Sequence, residues 1–493
     1  MATELKDKLF ADDDISTPCA DYLYYLQERK LIDTLMGGTK AMRKAGLTYL
    51  PQEEAESDIA YQNRIQRSFL LNIYKRTVKK LSGIVFSKPI IINTKDKDIR
   101  ELLFDFDLEG NNINVVSFRF FADAISSGVS HILVDYPDIN IINKDGQVFV
   151  YTENGMELLS KKKEKQMGLR PFCTQISAKN IIGWKYGTVN GVKKLINVRI
   201  KDQIAVPSGK YNEELKNRIR VLSPGAYETY IENENKYELT SAGITGLDYI
   251  PLFSFFTGEE RRGLVADFPL EDLAYLNLEH WQSSSDQRNI LHYARLITFL
   301  GKCLDDALED KKIVIGANQI VNTSDPAGDL KVVESSGQAI ESGAEDLRQI
   351  EKQMLAFGLS LMDNKVSRET ATSRLLDSME ANSTLKNWAL NFNDVLNNII
   401  ECMADYLGKE KKSLNATEDI PNYVTVNSDI NPSFGADSSS ILLASFKDGV
   451  IDKENLLIEF KRRGILREEA DIDYILKETK DKEIDSTSDT VIP

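Results

Sequence analysis

Between residues 57 and 83 apolar side chains recur at helical spacing: Tyr61, Ile65, Phe69, Ile73 and Leu81, with Leu70 and Tyr74 beside them. Ser57 is placed to cap this helix and Asp58 to favour its first turn. The pattern predicts one helix that stops near Gly83, ahead of Pro89. The stretch before it, 1–56, reads as short helical pieces and loops. Val115, Phe118, Phe121, Ala122 and Ile125 mark a second helical face that Gly128 ends, and 131–136 is a strand that Pro137 terminates.

From 174 to 257 the pattern turns to strands. Two alternating runs meet at Asn190-Gly191, a strong hairpin signal. A second hairpin joins 218–222 to 227–232 across Ser223-Pro224-Gly225, and 250–256 adds a third strand. An antiparallel sheet domain with helices before it is expected. At 266 the character changes. Asp267 is placed to cap a helix over 269–293, with Pro269 near its start; at 1.5 Å per residue it would be about 37 Å long. Its second half, 282–289, is almost wholly polar, so it bridges parts or packs in a polar assembly.

A small α/β insert follows at 294–337. Its 296–300 stretch is apolar, and strands are expected at 312–316 and 330–333 with a turn at Pro326 and Gly328. A helix over 338–362 then carries Ile340, Leu347, Ile350, Met354, Phe357 and Leu361 on one face. Asp363-Asn364-Lys365 breaks it. The longest helix, 369–408, presents Leu375, Met379, Trp388, Phe392, Val395, Ile399 and Met403; about 39 residues is well above the usual 11 or 12. One more strand is expected at 423–430. Helices follow at 438–446, 453–463 and 468–478, with Gly449 and Gly464 as stops and Asp452 as a cap. The acidic tail 481–493 is expected to be disordered.

Composition narrows the function classes. The chain has 493 residues, 61 bases and 76 acids, for a net charge of −15. A chain this acidic is not, as a whole, a counterion-releasing DNA binder. Against that background, residues 59–95 contain no acid, where average composition would place about six. The eight bases there include Arg64, Arg67, Lys75, Arg76, Lys79 and Lys80. They would touch a phosphate backbone, or form a salt-bridged packing face against acids of this chain or of a neighbouring subunit. The packing reading is favoured because the rest of the chain is rich in acids. A second basic patch, Lys161, Lys162, Lys163, Lys165 and Arg170, reads as a solvated loop.

Enzyme signatures are sparse. His131, His280 and His292 are far apart and read as structural. Cys19, Cys173, Cys303 and Cys402 form no CxxC pair, so neither zinc, a disulfide framework nor any other cofactor is signalled, and a reducing compartment is the simpler reading. Gly37-Gly38-Thr39-Lys40 lacks the earlier glycine of a phosphate loop and reads as a flexible loop. No signal peptide is expected, and no apolar stretch reaches membrane-spanning length.

The ordered set of segments resembles the portal proteins of tailed phages, and in wording a family of phage head proteins known as a domain of unknown function. The matching segments are Glu56-Ser57-Asp58 through Pro89, Gly128 through Pro137, Asn180 through Trp184 with the Val189-Asn190-Gly191 turn, and Ile250-Pro251-Leu252. Glu369-Thr370-Ala371-Thr372 opening the longest helix and the stretch from Asp448-Gly449 to Leu466 complete the set. The resemblance covers about 55–480.

It implies an α+β portal-like fold and no enzyme. The N-terminal region and wing would be 1–265, an α/β part with the antiparallel sheet. The stem helices would be 266–293 and 338–362, the clip 294–337 and the tunnel loop 363–368. The long channel helix with a return strand to the wing would be 369–432, and the helical crown 433–480. Asp363, Asn364, Lys365, Val366, Ser367 and Arg368 would face DNA. An acidic channel wall would repel phosphate, while Lys365 and Arg368 gave weak contact; those two read equally as exposed bases in a turn. Lys312, Asn322, Asp325 and Asp329 of the clip would dock terminase or adaptor.

The partners implied are the chain itself as a closed, commonly twelve-fold ring, double-stranded viral DNA, the large terminase, a head–tail adaptor, and the major capsid and scaffolding proteins, with no membrane. The ring would be assembled in the host cytoplasm and sit at one capsid vertex of the virion. It also offers a reason for the polar stem, whose helices would pack on neighbouring subunits. Two rival readings remain: a nucleic-acid-processing enzyme such as a carboxylate-metal nuclease, and a capsid adaptor or scaffold of another fold.

Overall fold

The computed structural model describes residues 14–137, 141–144, 147–152, 155–158, 167–234, 236–295, 298–302, 325–333, 337–359, 371–409, 423–428, 436–447 and 451–462, with single positions at 449 and 466 and the pair 475–476. They fall into two compact units, Met1–Ser428 and Asp429–Pro493.

The first unit opens with α1 (Ala20–Gly37) and α2 (Thr39–Ala45), so the N-terminal region holds an 18-residue helix rather than short pieces. Tyr22, Tyr25, Leu31, Ile32 and Leu35 form its buried side. Gly38, at φ +74°, is the joint. Its N–H closes α1 on the Leu35 carbonyl (2.9 Å), and its carbonyl accepts from Met42 N (3.0 Å). The Gly-Gly-Thr-Lys stretch is therefore a tight helix–helix joint and not a loop.

The helix expected over 57–83 is two. Ser57 caps α3 (Asp58–Arg67), accepting from Ala60 N at 3.3 Å. The second, α4 (Ile73–Val85), begins afresh at Asn72, whose Oδ1 accepts from Lys75 N (2.9 Å) and whose Nδ2 donates to the Leu35 carbonyl (2.5 Å). Ser68 donates back to the Arg64 carbonyl at 2.8 Å. These short polar side chains offer the backbone partners that compete with a continuous helix, while Ile65, Leu70 and Ile73 stay buried across the break. Beyond it come β1 (Ile91–Ile92), α5 (Lys97–Phe104), capped by Asp96, and α6 (Ile113–Ser127), capped by Asn112 and ended by Gly128 at φ +79°. The inward face of α6 is Ile113, Val116, Phe120, Phe121, Ala124 and Ile125; Val115, expected inward, is exposed.

Strand β2 (Val129–Asp135) is buried along six of its seven residues and needs a neighbour on each side. A separate meander of β3 (Ile141–Lys144), β4 (Gln147–Thr152) and β5 (Gly155–Leu158) follows, then β6 (Phe172–Ser177). The expected hairpins form a five-stranded antiparallel sheet of β7 (Ile181–Val189), β8 (Val192–Pro207), β9 (Glu213–Ser223), β10 (Ala226–Asn233) and β11 (Lys236–Ile244), in the order β11-β10-β9-β8-β7. Asn190 and Gly191 both take positive φ, as their two-residue turn requires. Strand β12 (Leu252–Phe256) does not extend that sheet. It pairs with β2, Phe255 opposite Ser130, in the order β12-β2-β6. Leu133, Ile176, Ile181, Val198, Ile200, Leu222, Ile250 and Leu264 form one core shared by the two sheets.

His131 lies wholly inside this core. Nε2 donates to the Leu264 carbonyl (3.1 Å), so Nδ1 accepts from Ser254 Oγ (2.8 Å), and burial pulls its pKa down to about 3. The unfolded imidazole titrates near 6.5, so below that pH the unfolded chain binds the extra proton. Stability is full above pH 6.5 and falls by roughly 1.4 kcal/mol per pH unit on descent towards 3. Urea midpoints at pH 7.0 and 5.5 should fall more steeply for the wild type than for His131→Asn. Equal falls would exclude this assignment.

Two glycines fix where the long helices begin. Thr257 N and Gly258 N both donate to the Gly128 carbonyl (2.9 and 3.0 Å), and a Cβ on Gly128 or on Gly258 would collide with the Asp267 carbonyl. From this clasp runs α7 (Glu271–Ala294). Asp267 does not cap it: the residue at the cap position is Leu270, and the Asp267 carboxylate pairs with Arg261 instead. An antiparallel pair, β13 (Thr298–Lys302) and β14 (Asp329–Val333), separates α7 from α8 (Gly337–Leu359). The strand expected at 312–316 lies outside the described residues.

Helix α9 (Ala371–Tyr406) is the longest, at 36 residues. Its Leu385, Ala389, Phe392, Leu396, Ile399, Ile400 and Met403 are buried. Phe392 sits among Phe86, Phe120, Phe121 and Phe255, with ring centroids 5.9, 5.5, 5.2 and 4.9 Å away. Of the strand expected at 423–430, the described residues 423–428 hold β15 (Val424–Thr425), paired with β1 and held by Asn397, which accepts from Val424 N (3.2 Å) and donates to Val424 O (3.1 Å). The second unit contains α10 (Ala436–Lys447) and α11 (Lys453–Arg462), with Asp452 accepting from Asn455 N (3.1 Å). The helix expected at 468–478 and the tail at 481–493 lie almost wholly outside the described residues. The chain is α+β with antiparallel sheets.

Candidate functional site

The polar half of α7 is partly buried within its own chain: Ser284, Ser285 and Gln287 are buried, Gln282 and Asn289 half-buried. Asn277 accepts from Tyr74 N (3.0 Å) and donates to the Leu71 carbonyl (2.9 Å), so it holds the start of α4. Ser285 meets Ser68 (2.8 Å), Gln282 donates to the Tyr49 carbonyl (3.1 Å), and Asn289 accepts from Arg67 (3.1 Å). On the other side Gln287 donates to the Ile340 carbonyl (2.7 Å) and His280 Nε2 meets Glu351 Oε1 (3.2 Å). Earlier residues of α7 meet later residues of α8, so the two helices run antiparallel. Much of the polar stripe expected to face a bridging or polar assembly finds partners within the chain, on α3, on α8 and in the segments before α3 and α4. The sequence could not reveal this, because the partners lie 53 to 233 residues away. The side chains that α7 and α8 leave exposed include large apolar ones, Tyr275, Ile290 and Tyr293 on the first and Leu355 and Phe357 on the second, beside charged ones such as Asp286, Arg288, Glu345 and Arg348.

The six bases of the 59–95 run do not share one face. Arg64 is only 4% exposed. Its guanidinium donates to both oxygens of Glu56 (2.9 and 2.8 Å), to the Pro51 carbonyl (2.5 Å) and to Asp286 (3.1 Å). Burial holds the Asp286 carboxyl above its usual pKa, with Arg64 opposing. Arg67 is half-buried and bonded to Asn289; Lys75 donates to the Met36 carbonyl at 2.7 Å. Arg76, Lys79 and Lys80 are exposed on α4. Of the second patch, Arg170 donates to the Asp105 carbonyl (2.6 Å) and pairs with its carboxylate; residues 161–165 are outside the described set.

Asp363, Asn364, Lys365, Val366, Ser367 and Arg368 also lie outside the described residues, as do Lys312 and Asn322. Asp325 accepts from Ala327 N (2.8 Å) in the turn before β14, and Asp329 pairs with Lys331 at 3.2 Å. One further charged cluster stitches α1 to α6 and β2. Buried Arg29 donates to Tyr25 (2.6 Å) and Asp33 (3.0 Å) and lies 3.7 Å from Asp123, which accepts from Ser130 (2.7 Å). Burial pushes the Tyr25 phenol up to about 12 and raises Asp123. Among the described residues no group of three or more His, Cys, Asp or Glu is placed to hold a metal ion, and no helix is long and apolar enough to cross a membrane.

Two antiparallel helices, a strand insert between their ends and a 36-residue helix after them form a helical arm that packs on the α+β body. Residues 269–407, which span it, match a family described as a domain of unknown function (DUF4055). No curated protein matches the chain. Among solved structures, the chain is similar to one in the virion of a native gene transfer agent particle, at 12% identity and TM-score 0.38, covering 85% of this chain and 97% of that one. It is also similar to chains in the neck of the empty particle computed with C6 symmetry (12%, 0.38) and of the native particle computed with C12 symmetry (12%, 0.39), each covering 78% of this chain and 88% of the other. At these scores the likeness carries no argument about what the chain does.

Proposed function

We propose that this chain is a portal subunit: a ring former at one vertex of a tailed-phage-like capsid. The ring would be the channel for DNA packaging and ejection and the platform for terminase and tail adaptor. The observation that carries this reading is the order of elements over 269–407. Helix α7 departs from a backbone clasp, an insert with the β13–β14 pair follows, α8 returns antiparallel, and α9 runs for 36 residues back into the aromatic core. In this reading α7 and α8 are the stem, the insert is the clip, 363–368 is the tunnel loop, α9 is the channel helix, and α10 and α11 belong to the crown. Exposed Tyr275, Ile290, Tyr293, Leu355 and Phe357 would supply apolar area for neighbours. A closed ring needs two different complementary surfaces on each subunit.

The test is the native mass of the purified chain. Twelve subunits of 55.6 kDa give about 670 kDa. A particle of that order with a central hole in negative stain is the expected result. A compact dimer that cuts DNA in the presence of magnesium would overturn the reading.

A further inference from the structure

The acid-free run at 59–95 has a counterpart that only the fold brings to it. Residues 34–52 also contain no acid and carry Lys40, Arg43 and Lys44. Together the two windows span 56 residues, where average composition would place about nine acids. The structure packs them together. Arg43 donates twice to the Ser68 carbonyl (3.0 and 2.8 Å), Leu70 N donates to Thr39 Oγ1 (3.3 Å), and Lys75 Nζ reaches the Met36 carbonyl (2.7 Å). So α2 packs on the joint between α3 and α4, and the start of α4 reaches the end of α1 next to α2, which brings the bases of α2 and α4 into one neighbourhood.

The bases divide into two kinds. Arg43 and Lys75 neutralise no acid but are spent on carbonyls, of Ser68 in the α3–α4 joint and of Met36 at the end of α1. Lys40, Lys44, Arg76, Lys79 and Lys80 are exposed and form no ion pair among the described residues. Of the acids that flank the two windows, Asp33 is engaged with Arg29 and Glu56 with Arg64, while Glu53, Glu54 and Asp58, between the windows, are exposed. Arg64, the first base of the 59–95 run, is removed from the surface.

We propose that α2 and the exposed side of α4 form a binding surface for double-stranded nucleic acid. A protein partner presents both signs of charge and would be met by a mixed face. A duplex presents one sign repeatedly, and a cluster of exposed bases without ion-pair partners is its complement. Arg76 and Lys80 stand about 6 Å apart along the helix axis, on the scale of two steps of about 3.4 Å along one strand. Flexible lysines contact phosphate without reading sequence, so binding is sequence-independent. It is also weak and salt-sensitive, as suits a surface on a chain of net charge −15. This surface lies outside 269–407, and the inference does not depend on ring formation.

The experiment uses the full chain and a fluorescein-labelled duplex of about 25 base pairs and random sequence, followed by anisotropy from 50 to 200 mM salt. If all five bases meet phosphate, log K falls with log salt at a slope of about −4.5, an affinity loss of about 500-fold over that range. The variants Lys40→Glu/Lys44→Glu and Arg76→Glu/Lys79→Glu/Lys80→Glu should each abolish binding at 100 mM with an unchanged native mass. Should a reversal variant misfold, Lys79→Gln/Lys80→Gln decides: its slope should drop to about −2.7. No duplex binding by the wild type at 50 mM salt overturns the proposal. So does wild-type binding by both reversal variants, or a change of native mass in the variants with duplex affinity intact, which would make the surface a subunit contact. The ring reading stands or falls on native mass alone, so the two failures are separable.

Discussion

Phe392→Ala is expected to destabilise the first unit by about 3–5 kcal/mol, the range for removing a large aromatic from a packed core. Phe392 is fully buried, and its ring touches four others drawn from three separate parts of the chain: Phe86 after α4, Phe120 and Phe121 on α6, and Phe255 on β12. Edge-to-face and tilted pairs of this kind add to simple burial. Alanine leaves a cavity that rings on three different elements cannot close together. Urea unfolding followed by tryptophan fluorescence measures the loss. A shift under about 1 kcal/mol would mean the site collapses freely and that α9 is not keyed into the body by this ring.

Arg64→Met should cost a similar amount, about 3–5 kcal/mol, because it breaks a buried ion pair from one side. Glu56 would keep its charge in a place where its side chain is only 10% exposed, and the Pro51 carbonyl would lose its donor. Asp286 is 60% exposed at its side chain and can turn to water, so most of the cost falls on Glu56. Arg64→Lys should recover only part, since one ammonium cannot reach both Glu56 oxygens, the carbonyl and Asp286 at once. The double variant Glu56→Gln/Arg64→Met should be more stable than Arg64→Met alone. A single variant as stable as wild type would return Arg64 to the list of ligand-binding bases. Duplex affinity should not follow Arg64, which is what separates it from Arg76, Lys79 and Lys80.

What could be read before folding was what lies close in sequence. Asn190-Gly191 and Pro224-Gly225 place their turns because two neighbouring residues determine them. Helix α6 and its Gly128 end, and the apolar stripe of α9, follow from periodicity within one element. Where distant partners decide, the reading failed. The break between α3 and α4 hid behind Phe69, Leu70 and Ile73, which continue the helical spacing while Ser68 and Asn72 end and restart the backbone ladder. β12 joins β2, more than a hundred residues earlier, because a strand buried on both faces needs two neighbours. The polar stripe of α7 has a legible composition, but its partners on α3, α4 and α8 are tertiary. The same holds for Arg64. A charge count sees a base in an acid-free run, and only the fold brings Asp286 to it.

The clasp around Asp267 bears on how the arm could behave under load. Gly128 and Gly258 close on one carbonyl from two directions, with no side chain between them and the peptide. Side chains can change rotamer and so act as soft washers; peptide planes cannot. The root of α7 is thus a hard mount. A thrust along α7 would be shared between this mount, which leads to β2 and β12, and the hydrogen bonds that tie the helix to Arg67, Ser68, Leu71 and Tyr74. Any give would then be left to the stretch of α7 beyond Asn289 and to the insert that follows it.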